Sequence, residues 1–233
     1  MGLPKIDLPL FEAELPSSGK KFKYRPFTVK EEKILLVAQQ SDETAQEVLS
    51  VKQVVNNCLI DMDIEELSMF DLEYVMLLLR ARSVDNEIKF SIQDPDTEES
   101  IELLLDVEDV KLTKDDTHTN QVKINDTYTL ILKYPTIDDY IKTQQMDPAD
   151  PLINYVMMIN CLDQLVSDDE VHSFKDYKDE EIDGFVETFS GEVVKGIQNF
   201  FTSIPKLRHE LKYVNKEGTA KTFVIEGMKS FFI

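Results

Sequence analysis

Apolar and polar positions along this chain change period several times, and each change marks an expected element. Residues 8–15 and 20–27 read as short strands joined by the turn residues Pro16-Ser17-Ser18-Gly19, which predicts a hairpin. In the second strand Phe22, Tyr24 and Pro26 alternate with Lys21, Lys23 and Arg25, giving one aromatic and one basic face. Thr28 followed by Glu31 has the capping-box spacing of a helix start. Ile34, Leu35, Val37 and Ala38 are the expected inner face of that helix. Ser41-Asp42-Glu43 interrupts it. From Ala45 apolar residues recur at three and four, predicting a second amphipathic helix to about residue 60. Residues 70–82 are apolar on nearly all sides until Arg80 and Arg82. They are expected to form the central buried helix, with Leu72, Val75, Leu78 and Leu79 in the core.

The middle of the chain turns to strands. Residues 87–93 and 100–107 flank an acidic turn at 94–99, and 121–124 and 128–134 flank Asn125-Asp126-Thr127. The consecutive Leu130, Ile131 and Leu132 suit a strand buried on both faces. Helices are expected again at 136–143, 152–166, 179–189 and 192–204, with a surface break at Ser167-Asp168-Asp169-Glu170. A last hairpin spans 208–225, and 227–232 is a final apolar turn. Strands and helices come in separate runs, which predicts an α+β fold of antiparallel β-hairpins segregated from helical bundles. Three segments are expected: 1–86, a hairpin with three helices; 87–135, central β-hairpins; and 136–233, helices closed by a hairpin.

Charge narrows the function. Lys+Arg is 25 against Asp+Glu 45, a net charge of -20 in 233 residues. Such a surface repels nucleic acid and anionic lipid, and neither is an expected partner. No apolar run has the length of a membrane-spanning helix, and Met-Gly-Leu-Pro-Lys at the start has no signal-peptide core. Cys58 and Cys161 make no disulfide framework or zinc spacing and are expected as buried, reduced thiols.

No catalytic constellation appears. With seven glycines the chain has neither a dinucleotide fingerprint nor a P-loop, and no Gly-x-Ser-x-Gly elbow occurs. His118, His172 and His209 lie in polar stretches without a partner at ligand spacing and read as surface histidines. Runs such as Asp168-Asp169-Glu170 and Asp179-Glu180-Glu181 read as solvated acidic faces, because acid–base work needs two carboxylates in unlike environments. Asp61-x-Asp63-x-Glu65 lacks the glycine and distal glutamate of a calcium loop. No catalytic residue, metal, cofactor or small-molecule substrate is expected. The expected activity is protein binding. Its candidate residues are Lys21, Lys23 and Arg25 on the basic strand face and Phe231 and Phe232 in the last apolar turn, since adjacent aromatics cannot both face one side of a short helix; the alternative for that turn is a C-terminal plug on the protein's own core.

The stretch KYRPFTVKEEKILLVA at 23–38 resembles the opening of T4-type phage baseplate hub proteins, the hub subunits and hub assembly factors. VKQVVNNC at 51–58, FDLEY at 70–74, IPKLRHELKY at 204–213 and IEGMKSFF at 225–232 continue the likeness in order across nearly the whole chain. Some related phage proteins carry Cys-x-x-Cys in the last hairpin. The turn at 214–218 has no cysteine, so metal there is not implied. The resemblance implies a non-enzymatic phage tail protein that binds other tail proteins to build the central baseplate hub. The alternative is a tail assembly chaperone that holds a hub or tape-measure protein and is absent from the mature virion. Either acts in the host cytoplasm during assembly; persistence in the virion tail baseplate separates the two.

Overall fold

The structure, a computed structural model, describes residues 7–38, 40, 44–113 and 115–227. Along the chain run β1 (Phe11–Glu14), β2 (Lys21–Tyr24), α1 (Val29–Ala38), α2 (Thr44–Cys58), β3 (Leu59–Ile60), α3 (Met69–Ser83), β4 (Glu87–Gln93), β5 (Ser100–Asp106) and β6 (Lys111–Thr113). They are followed by β7 (Gln121–Lys123), β8 (Thr129–Leu132), α4 (Ile137–Gln144), α5 (Ile153–Asn160), β9 (Leu162–Val166), β10 (Val171–Ser173), α6 (Asp179–Val186), α7 (Gly191–Thr202), β11 (Lys206–Val214) and β12 (Ala220–Glu226). The strands form small antiparallel sheets beside separate helices, and the fold is α+β. Two compact units result. One is built from the chain up to Thr113 and again from Lys206, the other from the segment between.

In the first unit the sheets are β1-β2-β3, β4-β5 and β12-β11-β6. Helix α3 is its central element. Ser68 and Asp71 close a capping box at its start, and the second oxygen of Asp71 accepts the Ser17 amide at 3.0 Å, pinning the β1–β2 turn to the helix. Leu72, Val75, Met76, Leu77 and Leu79 are buried, as expected of this helix, but Leu78 is only half-buried. A helix apolar all round does not disclose which side its neighbours leave open. Leu77 joins Ile88, Leu105, Val107, Leu207 and Ile225 in one apolar cluster, so residues far apart in sequence share a core.

The acidic turn between β4 and β5 is not wholly solvated. Asp94 is buried and accepts hydrogen bonds from Thr97, from the Tyr213 hydroxyl at 3.0 Å and from Lys221. Burial opposes its ionisation, but these donors outweigh it and hold the carboxyl well below the usual range. The β4–β5 turn is thereby tied to the β11–β12 hairpin, which pairs from Arg208↔Glu226 to Val214↔Ala220.

The second unit begins and ends beside one strand pair, because Thr113 on β6 faces Lys206 on β11. Antiparallel neighbours need only a two-residue turn to join them. Replacing 114–205 with Asn-Gly is therefore expected to leave the first unit folded, with a cooperative thermal transition and dispersed amide spectra. A molten product would mean that this unit depends on the excised segment.

The second unit packs its helices on the sheet β10-β9-β8-β7. Leu130, Leu132, Leu162, Val193, Ile197 and Phe200 make its core. One sequence expectation fails here. The helix expected over 152–166 stops at Asn160, and Leu162–Val166 becomes β9, hydrogen-bonded between β8 and β10. Apolar residues keep recurring on both sides of Asn160, Asp163 and Gln164, so periodicity alone does not mark the change. The surface break expected at Ser167-Asp168-Asp169-Glu170 is present as the exposed turn of the β9–β10 hairpin, closed by the Ser167 amide on the Glu170 carbonyl at 2.9 Å. Close packing also fixes Gly196, where a Cβ would stand 2.7 Å from Val122 Cγ1, so α7 meets β7 at a distance that a larger residue opens.

The histidines are less exposed than expected; each is half-buried. His118 stacks on Tyr134 and Phe200, at centroid distances of 5.7 and 5.4 Å, with its Nδ1 2.8 Å from Ser203 Oγ. His172 pairs with Tyr177 and Glu170, and His209 Nδ1 lies 3.2 Å from the Asp109 carbonyl. Among the described residues no group of three or more His, Cys, Asp or Glu is arranged to hold a metal.

Candidate protein-binding surface

The basic strand face forms as the alternation predicts: Phe22 and Tyr24 are buried, and Lys21 and Lys23 point to solvent. Its charge is a different matter. The register sets Glu14 opposite Lys21 and Glu12 opposite Lys23, with N···O distances of 3.6 and 3.5 Å. The face is a ladder of mixed charge, weakly paired in solvent and free to exchange partners. The signal was in the sequence, since Glu12 and Glu14 alternate with Phe11 and Ala13 on the facing strand.

Arg25 does not share that face. Its guanidinium donates to Glu31 at 3.0 Å and to the carbonyls of Asn57 at 2.8 Å and Pro26 at 2.9 Å. Glu31 is buried and also accepts the amide and hydroxyl of Thr28, at 2.9 and 2.6 Å. Burial opposes its charge, but the hydrogen bonds from Arg25 and Thr28 and the Arg25 charge outweigh it and bring the carboxyl down to about 2. One glutamate thus caps α1, binds the β2 end and reaches the end of α2 through Arg25.

This pair sets which way α1 faces. Glu31, Ile34, Leu35 and Ala38 fall at helical spacing of three and four and form the inward stripe. Val37, expected inside, is instead 71% exposed, and Val29 and Leu36 are 65% and 53% exposed. Together with Lys33 they form an outward stripe on the opposite side of the helix. Three apolar side chains held out in water around one lysine make this side of α1 a candidate docking surface. The five-residue apolar run Ile34–Ala38 concealed the division, and the position of Glu31 is the clue that resolves it.

Phe231 and Phe232 lie outside the described residues, as does the expected last apolar turn. Cys58 and Cys161 are buried and free, with burial pushing their thiols up to about 11 and about 12. Both are therefore uncharged and poor nucleophiles at neutral pH. Among the described residues no helix is long and apolar enough to cross a membrane.

The family model described as T4 bacteriophage base plate protein matches residues 8–233, essentially the whole chain. The chain belongs to this family. No curated protein and no solved structure matches it. Membership implies that this baseplate protein works among other phage tail proteins.

Proposed function

We propose that this baseplate protein is a non-enzymatic binding protein that joins other tail proteins to build the central hub. The observation that carries the reading is α1, which buries a glutamate and turns Val29, Leu36 and Val37 out to solvent. An isolated subunit gains nothing from that arrangement; a subunit that covers the stripe on assembly does. Close by in sequence, Lys21 and Lys23 contribute by exchanging their own glutamates for carboxylates of a partner, and β1 is an edge strand of its sheet among the described residues. Arg25 holds the hairpin in place. In this reading Phe231 and Phe232 add a second contact at the chain end.

The test is charge reversal at the two exposed lysines, leaving Arg25 untouched. Lys21→Glu/Lys23→Glu sets like charges across β1 and β2 and is expected to cost only about 0.5–2 kcal/mol of stability, while incorporation into baseplate intermediates falls severalfold. Undiminished incorporation would reduce the face to a solvated surface. Mass spectrometry of purified virions against assembly intermediates then separates a hub subunit, present in both, from a chaperone, present only in the intermediates.

A further inference from the structure

The second unit holds a cavity of about 290 Å³ between the β9–β10 hairpin and α6. Its walls are apolar: Leu165 from β9, Phe174 after β10, and Ile182 and Phe185 from α6. Phe174 and Phe185 stand 5.9 Å apart, and Phe185 is braced edge-on by Phe189 at 5.2 Å, so this wall is a built aromatic corner. The rim is polar. His172 meets the Tyr177 hydroxyl at 2.7 Å, and Glu181 is exposed at the mouth. A volume of this size accepts one large side chain with room beside it.

What surrounds the cavity selects the occupant. Residues 163–187 hold ten carboxylates and two lysines, a density far above that of the chain as a whole. Asp168, Asp169 and Glu170 sit exposed in the hairpin turn, and Asp179, Glu180 and Asp183 sit exposed on α6. No lysine or arginine lines the cavity. An anionic ligand, a nucleic acid or a second copy of this acidic chain would meet repulsion here. A positively charged segment would be drawn in, and the apolar walls would reward a hydrophobic residue within it.

We propose that this cavity seats an apolar side chain carried on a lysine- or arginine-rich segment of a partner tail protein. The proposal rests on the reading of the chain as a tail-protein binder and adds a further contact, distinct from the α1 stripe and from the chain end. Capture begins with charge, which brings the basic segment to the rim. Retention comes from the apolar residue against Phe174, Ile182 and Phe185, with Tyr177 and Glu181 close to the flanking cations.

Two variants test it in the full chain. Ile182→Asp places a charge on the cavity wall, and Asp168→Lys/Asp169→Lys reverses the charge of the β9–β10 turn at two exposed positions. The probe is a fluorescent lysine-rich peptide centred on Leu-Phe, with a second peptide carrying Ser-Ser in place of Leu-Phe. The first peptide is expected to bind in a salt-dependent manner and to lose about tenfold or more with either variant, and the Ser-Ser peptide to bind about tenfold more weakly. Equal binding of the two peptides, or variants that bind like the parent, overturns the proposal. Crosslinking in infected cells keeps the two readings apart. A parent chain that crosslinks to no tail protein defeats the hub reading, whereas variants that retain every parental crosslink defeat the cavity alone.

Discussion

Arg25→Ala is expected to destabilise the first unit by about 3–5 kcal/mol, the usual cost of stripping one partner from a buried ion pair. Glu31 would remain in a site with 1% exposure, held only by Thr28. Both α1 and the β2 end depend on that carboxylate, so amide signals from these elements are the suitable probe of denaturant unfolding. Replacing both partners by apolar residues, Arg25→Met/Glu31→Leu, should recover most of the loss, because no charge is then left buried. A single-variant loss under about 1 kcal/mol would place the pair in the solvent-screened class instead.

The same pair makes stability depend on pH. The carboxyl of Glu31 falls from 4.5 to about 2 on folding, so the folded state favours the ionised form. That contribution is complete above the unfolded value. It is lost as pH falls from about 4.5 towards about 2. The parent is therefore expected to lose stability across this window. The gap between parent and Arg25→Ala should narrow as Glu31 takes up a proton in the variant.

Phe200→Ala is expected to cost the second unit about 3–5 kcal/mol, by transfer and cavity terms together. Phe200 is 1% exposed in the core formed by β7, β8, β9 and α7. Its ring also stacks on His118 and Tyr134 and meets Phe201 edge-on at 5.4 Å. Phe200→Leu keeps most of the apolar volume and should cost clearly less. In both variants the ring resonances of His118 and Tyr134 should shift, since they lose an aromatic face. Unchanged ring signals with full destabilisation would detach the stack from the core.

The sequence carried local decisions well. The turn chemistry at 16–19 located the first hairpin, and the run 87–93 coincides with β4 because alternation and an acidic turn bound it on both sides. Thr28 and Thr136 marked helix starts, since a cap is a contact between near neighbours. The buried, free state of both cysteines also followed from their spacing and surroundings. The likeness to baseplate proteins was legible because it is spread in order along the chain.

Tertiary structure decided what depends on distant partners. Strands β3 and β6, of two and three residues, exist only through pairing with β2 and β11, and no period can register in so short a run. The segment 162–166 became a strand because β8 and β10 offered hydrogen bonds on both sides. Whether Lys21 and Lys23 form a basic patch was settled by the register that sets Glu14 and Glu12 opposite them. Above all, the direction in which α1 faces depends on Arg25 meeting Glu31. Periodicity measures the average polarity of a helix face, and a carboxylate buried by one guanidinium reverses that average at the position where it matters.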